Sequence, residues 1–293
     1  MTVLELIQRT SEFLGKKGVD SPRLQAELML AQVLHLPRMQ LYLNFEKTIA
    51  PAELDRFREF VRRRGMREPL QHILGSVSFC GYEIVVNRNV LVPRPETELL
   101  AECGWQFLNG CAKEPAQPVH VLDYGTGSAC LAVVLAVKAP QAEIHAVDIS
   151  EQALEVARQN ALRNNVAERV RFHLADSVAA LPQDLRFHLI ISNPPYIPTA
   201  DIERLEPEVR DYDPRPALDG GPDGLHHYRR LAGETSDRLE PDGRIMLELG
   251  DDQAEAVRNI FQAQNWIVER IAEDYTHRPR IMIARKCAQG QSS

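Results

Sequence analysis

Asn193-Pro194-Pro195-Tyr196 is the segment of this 293-residue chain whose residue types and order most directly specify a chemistry. Two consecutive prolines remove two backbone N–H donors and fix the backbone, leaving the Asn193 amide and the Pro194 carbonyl as rigid, outward-pointing acceptors. Tyr196 offers a ring that can stack on a planar group. Such a set suits a planar NH₂, whose delocalised lone pair makes it a poor nucleophile. Two acceptors gripping its hydrogens, with a ring holding its plane, align the nitrogen with an electrophilic carbon, and no strong general base is then required. A proline-stiffened strand exit is the bland alternative; it would have to coincide with a ligand-type glycine loop earlier in the same sheet.

That loop is Asp123-Tyr124-Gly125-Thr126-Gly127-Ser128-Ala129, placed where an apolar strand turns into a helix, so that backbone can approach a ligand at the helix N-terminus. A dinucleotide fingerprint needs a third glycine three positions after Gly127. Cys130 stands there, which disfavours NAD and FAD, and the chain has no Gly-Lys-Ser/Thr phosphate loop. S-adenosylmethionine (SAM) has no phosphate but does have a methionine carboxylate to place near the helix start. Gly125, Thr126, Gly127, Ser128 and Ala129 are therefore candidate cofactor contacts, with a structural turn as the alternative. Asp148 ends the next strand, where a carboxylate can accept both ribose hydroxyls. Asp176, ending the third, either accepts from the adenine amino group or N-caps a helix.

These residues need a scaffold, and the pattern after Pro118 supplies one. Strand-like runs at 119–123, 144–148, 170–174, 187–192 and 244–249 alternate with helical stretches, from about residue 128 and over 151–164, which predicts a mainly parallel sheet with helices on both faces. Runs at 266–271 and 280–284 have no helix between them and predict an antiparallel edge. The first 65 residues are helical in pattern: Leu4 and Ile7 at helix spacing, Gly18 as a stop, then Ser21-Pro22 as a cap and start before Leu24, Leu28 and Ala31. Residues 73–79 and 82–86, split by Cys80-Gly81, form a predicted hairpin. Residues 109–118, with two prolines, are a predicted loop. The expected division is a helical domain over 1–68, a linking β-hairpin over 69–92 and an α/β domain over 93–293.

Composition narrows the class. The longest apolar run, 129–137, is too short for a membrane span, and nothing near Met1 has the form of an export signal. Five cysteines without a C-x-x-C pair suggest neither a disulfide framework nor zinc, and fit a reduced cytoplasm. His226-His227 diverge on a strand or a helix, so no metal is expected. The formal charge of −7 argues against a broad phosphate-neutralising surface, and stable nucleic-acid binding is not expected. Residues 1–85 carry 12 Lys/Arg against 10 Asp/Glu, the remainder 22 against 31. Arg56, Arg58, Arg62, Arg63, Arg64 and Arg67 flank the apolar spacing Leu54, Phe57, Val61 of one helix, which reads as a solvated face or a docking face for an acidic or nucleic-acid-bearing partner.

Taken together, Val92-Pro93-Arg94-Pro95-Glu96-Thr97-Glu98, the 123–129 loop, Asn193-Pro194-Pro195-Tyr196, Pro214-Arg215-Pro216-Ala217-Leu218 and Gly220-Gly221-Pro222-Asp223-Gly224-Leu225 resemble the HemK/PrmC family over nearly the whole chain. The resemblance implies a Rossmann-like class I SAM-dependent methyltransferase sheet behind a small N-terminal helical domain that helps hold a protein substrate. It implies methylation, at N5, of the glutamine in the Gly-Gly-Gln motif of class 1 peptide-chain release factors. By the same resemblance the Gly125 loop, Asp148 and Asn193 contact SAM, Asn193, Pro194, Pro195 and Tyr196 bind the glutamine, and Glu96 and Glu98 cap a helix and line the cofactor entrance. Tyr124, Ala129 and Ser177 depart from the family's usual residues. The rivals are a ribosomal-protein glutamine methyltransferase, an adenine-N6 nucleic-acid enzyme, which would want a base-reading domain and a basic cleft, and a non-catalytic SAM-binding scaffold.

Overall fold

Thr2 starts the first helix. Its hydroxyl accepts from the Glu5 N–H (3.2 Å) while the Glu5 carboxylate accepts from the Thr2 N–H (2.9 Å), a reciprocal cap. From it the computed structural model, which describes residues 1–111 and 119–287, runs through α1 (Val3–Lys16), α2 (Pro22–Leu34), α3 (Arg38–Leu41), α4 (Pro51–Gly65) and α5 (Leu70–Leu74). Pro22 opens α2 as expected, but Ser21 is left-handed (φ 47°) and makes no capping bond. Ile73 and Leu74, expected in a strand, are helical: the Gly75 N–H, at φ 86°, closes α5 on the Gln71 carbonyl (2.8 Å). Val3, Ile7, Leu14, Met29, Leu30 and Phe57 meet in this unit's core.

The helical unit comprises Met1–Ser76 together with Leu205–Tyr212, so the boundary expected at residue 68 falls inside it. The later segment makes one helical turn, Pro207–Arg210, and brings two acids to the basic end of α4. Arg64, buried, donates to Glu208 (2.7 Å) and to Gln25 (2.6 Å); Arg67 donates to Glu208 (2.6 Å) and Glu206 (2.9 Å). The Tyr212 hydroxyl donates to the Met66 carbonyl (2.8 Å). Arg62 pairs with Glu59 and Arg63 with Glu68. Consecutive helical residues point about 100° apart, so three adjacent arginines serve three different partners instead of forming one free face.

The second unit comprises Val77–Arg204 and Asp213–Ser293. After the hairpin β1 (Ser76–Phe79) and β2 (Tyr82–Val85) come α6 (Pro95–Cys111), β3 (Val119–Tyr124), α7 (Cys130–Lys138), β4 (Ala142–Asp148), α8 (Glu151–Arg163), β5 (Val170–Leu174), β6 (Phe187–Ser192), α9 (His226–Glu234), β7 (Leu239–Glu248), α10 (Ala254–Gln262), β8 (Trp266–Glu273) and β9 (Pro279–Lys286). The seven-stranded order is β5-β4-β3-β6-β7-β9-β8. β5 to β7 are parallel, and β9 runs antiparallel to β7 and β8, the expected edge. The 109–118 loop begins later than expected, because α6 continues to Cys111; the rest of that stretch lies outside the described residues.

Alternate residues serve the two faces. Val121, Ile144, Leu189 and Ile191 pack with α6, α7 and α8, whereas Leu122, Val147, Ile190 and Leu247 pack with Tyr228 of α9 and Phe261 of α10. α7 is apolar all round because it is buried all round: every residue from Leu131 to Ala136 is interior. Between β5 and β6 a single 3₁₀ turn, Val178–Ala180, replaces the helix that alternation suggests. On that face of the sheet His145, 5% exposed, has Nδ1 3.1 Å from His173 Nε2. The strand order reverses between β3 and β6, and the crevice outside the carboxyl ends of such strands is where α/β sheets bind ligands.

Candidate active site

At that crevice a cavity of about 540 Å³ is lined by Gly125, Gly127, Asp148, Asp176, Asn193 and Pro194 among others. Four separate strand ends thus bring the leading sequence-predicted residues together. Asp148 accepts from the Gly127 N–H at Oδ2 (2.8 Å) and from the Ser150 N–H at Oδ1 (2.9 Å). Each carboxylate oxygen keeps a lone pair for a further donor.

The rest of the glycine loop faces away from the cavity. Thr126, Ser128 and Ala129 are buried and do not line it. The Thr126 hydroxyl donates to Asp123 Oδ2 (2.6 Å), which also accepts from the Ala132 N–H (3.2 Å), so these two side chains staple the loop to the start of α7. Burial pushes the Asp123 carboxyl up to about 7, against those two hydrogen bonds. Ala129 sits at φ 61°, a left-handed position normally given to glycine, with its methyl fully buried.

Asp176 lines the cavity with an exposed side chain 3.6 Å from Arg230, and its carbonyl accepts from the Tyr124 hydroxyl (2.7 Å). The helix-cap alternative goes to its neighbour: Ser177 Oγ accepts from the Ala179 N–H (3.1 Å).

Pro195 lines the cavity beside Asn193 and Pro194, but Tyr196 does not. Its ring packs against the β7-side core and its hydroxyl donates to Glu248 Oε1 (3.3 Å), so the stacking face expected of it is turned to the protein. Burial raises the Tyr196 phenol well above its ordinary range. Asn193 Nδ2 donates to Thr97 Oγ1 (3.2 Å), and Thr97 donates to Glu248 Oε2 (2.6 Å). Burial lifts Glu248 to about 7, opposed by the Thr97 hydrogen bond and the charge of Arg280.

Segment 218–224 braces the loop from outside. The Ile197 N–H donates to the Leu218 carbonyl (3.0 Å), the Gly220 N–H to the Ile197 carbonyl (2.8 Å), and Gln253 Nε2 to the Tyr196 carbonyl (2.9 Å). A Cβ at Gly220 would lie 2.8 Å from the Tyr196 Cα, so only a hydrogen fits. Glu98, expected near the cofactor entrance, accepts instead from the Cys80 N–H of the hairpin (2.8 Å).

Residues 5–75 match the PrmC N-terminal domain and residues 116–283 a methyltransferase domain. The release factor glutamine methyltransferase of Geobacter sulfurreducens is 44% identical over 89% of this chain and 88% of its own length. That of Chlorobaculum tepidum is 41% identical over 94% of each. The chain belongs to the release factor glutamine methyltransferase family. It is accordingly a methyltransferase, and the fold agrees: the catalytic domain of human METTL16, solved with an RNA hairpin, superposes with a TM-score of 0.54 at 14% identity, covering 80% of this chain and 82% of that one.

Within this family scaffold, further residues line the cavity that the sequence does not single out as contacts. Tyr124, Leu91, Arg230, Pro214 and Pro216 are among them. Tyr124 had a usable signal, since it follows Asp123 directly into the loop. Arg230 had none, being one of two adjacent arginines on a helix that carries no recognised motif.

Proposed function

We propose that this methyltransferase transfers a methyl group from SAM to the side-chain nitrogen of the glutamine in the Gly-Gly-Gln motif of class 1 release factors, in the cytoplasm. The observation that carries this reading is that Asn193 and Pro194 wall the same cavity as Gly125, Gly127 and Asp148. An acceptor pair for an NH₂ group therefore borders a pocket whose residues fit the cofactor. The fit rests on Asp148: both of its oxygens are held in place by backbone N–H groups and both retain acceptor capacity for ribose hydroxyls. A Cβ added at Gly125 or Gly127 would meet nothing within 4 Å, which leaves room in the cavity near the helix start for the methionine carboxylate.

When bound, SAM supplies a methyl group on a positively charged sulfur that departs as a neutral thioether. Asn193 Oδ1 and the Pro194 carbonyl accept the two N–H hydrogens of the glutamine amide and orient its nitrogen toward that methyl carbon. Methylated there, the nitrogen would give up one proton to solvent and leave a neutral N-methyl amide. Leu91 and Val147 give the cavity part of its apolar lining.

The test is to incubate the protein with labelled SAM and, separately, release factors, ribosomal proteins and DNA, then locate the methyl group by mass spectrometry. The Gly-Gly-Gln glutamine is the expected address. Label on a ribosomal-protein glutamine or on adenine, with none on the release factor, would replace this reading with one of its rivals.

A further inference from the structure

Thr97 belongs to the 92–98 motif, and its hydroxyl stands between the loop asparagine and a buried acid. Thr97 Oγ1 lies 2.6 Å from Glu248 Oε2 and 3.2 Å from Asn193 Nδ2. Thr97 is 2% exposed and Glu248 1%. An ionised carboxylate accepts and cannot donate, so the single hydroxyl proton of Thr97 is committed to Glu248. Its oxygen then has acceptor capacity alone to offer Asn193. Of the two ends of the asparagine amide, the NH₂ is the one that satisfies such a partner. The carbonyl is left for the other side, and Asn193 lines the cavity whereas Thr97 does not. The second oxygen of Glu248 meets the Tyr196 hydroxyl at 3.3 Å. One buried carboxylate thus holds both ends of the 193–196 loop.

We infer that Thr97 and Glu248 are positioning residues for methyl transfer: they fix the Asn193 amide with its NH₂ inward and its Oδ1 presented to the substrate NH₂. The inference rests on the proposed grip of Asn193 on the glutamine amide. A flipped Asn193 would meet a donor with a donor, so the polarity of the grip is decided from behind the loop. The same logic gives the 92–98 motif a task distinct from helix capping.

The arrangement holds while Glu248 is ionised. A protonated Glu248 can donate to Thr97, whose own proton is then free to turn to Asn193 Oδ1 and reverse the amide. The groups that bear on Glu248 are Arg280 from β9, Glu96 and Thr97 from α6, Tyr196 from the loop, Tyr228 from α9 and Cys130 from α7. Burial is the largest influence and brings its titration to about 7.

Thr97→Val keeps the volume and removes both hydrogen bonds. For T97V the expected result is a roughly 10²-fold fall in kcat on a release factor, as for a displaced reacting group, with KM and the calorimetric affinity for S-adenosylhomocysteine at wild-type values. T97S, which restores the hydroxyl, should regain most of the rate. The wild-type rate should fall as pH drops below about 7 and the T97V rate should not. T97V turning over at the wild-type rate would overturn the inference. A second measurement is independent of turnover: the Asn193 side-chain NH₂, identified in ¹⁵N spectra by its loss in N193A, should exchange slowly with solvent and shift as Glu248 titrates. Exchange as fast as that of a solvent-exposed amide overturns the relay. If the wild type methylates no glutamine at all, the substrate reading fails, and these spectra still decide whether the relay exists.

Discussion

Asp148 accepts the Gly127 N–H at 2.8 Å across twenty-one residues of sequence, so the carboxylate expected to hold the ribose also sets the shape of the glycine loop. The two tasks are compatible because a carboxylate has about four acceptor positions. Cofactor affinity and loop geometry are consequently coupled through one side chain.

Asp148→Ala should therefore weaken SAM binding by at least about 3 kcal/mol, from two hydrogen bonds to a charged acceptor at about 1.5 kcal/mol or more each, which is roughly two decades in Kd. Calorimetry checks it. Unchanged affinity would remove Asp148 from the site.

Asn193→Ala removes one of the two acceptors for the substrate nitrogen and leaves the glycine loop and Asp148 intact. The expected outcome is a kcat lower by roughly 10²–10³ with SAM still bound measurably. Near-normal turnover in a steady-state assay would end the proposed role.

Gly220→Ala places a methyl 2.8 Å from the Tyr196 Cα, backbone that cannot step aside without moving the 193–196 loop. Stability should fall by about 1–3 kcal/mol, the usual cost of overpacking, and the rate should fall with it. Gly110→Ala is the matched control: it lies in α6 with open space beside it and should gain about 0.5–1 kcal/mol. Urea titrations of the two variants should move in opposite directions.

Arg64→Ala empties a buried position whose partner Glu208 is itself largely covered. Breaking such a pair costs about 3–5 kcal/mol when one charge is left buried; the partial exposure of Glu208 places the expectation at about 3 kcal/mol. Arg62→Ala, whose pair with Glu59 is in solvent, should leave the denaturation midpoint close to that of the wild type. Equal denaturation midpoints for the two variants would contradict the buried contact.

Stability should also depend on pH in two opposed ways. Asp123 and Glu248 are raised to about 7, chiefly by burial, so the folded chain holds protons that the unfolded chain has released. Their contribution is complete below about pH 4 and is lost as pH rises through about 7. His145 is lowered to about 4 by burial and by its histidine neighbours; its contribution is present above about pH 6.5 and is lost as pH falls through about 4. Asp123→Asn should flatten the decline in unfolding free energy between about pH 5 and 7. Parallel wild-type and D123N curves over that range would show that Asp123 is ionised in the fold.

Where a contact is local, the sequence disclosed it. The strand ends at Asp123, Asp148 and Asn193 are readable because strand, turn and helix follow one another within a few residues, and short, nearly all-apolar runs mark the parallel strands. What stayed hidden depends on distance. The Thr97–Asn193 contact spans 96 residues and the Thr97–Glu248 contact 151, and no periodicity links them. The position of Tyr196 directly after the prolines suggests a substrate platform, but Glu248, at the end of β7, accepts from its hydroxyl and its ring packs on the core. The six arginines near α4 read as one charged face because the carboxylate partners of Arg64 and Arg67, Glu206 and Glu208, lie about 140 residues downstream. Ser21 looked like a cap and adopts a left-handed conformation that prevents it.

The helical unit is not one stretch of gene. The chain leaves it after Ser76, returns at Leu205 and departs again at Asp213, so its acids are translated about 140 residues after the arginines they neutralise. A recombinant fragment starting at Val77 would carry Glu206, Glu208 and Tyr212 with nothing to hold, and one ending at Ser76 would leave Arg64 buried without its counter-charge. Domain swaps among relatives would have to exchange the two stretches together, as a co-inherited pair.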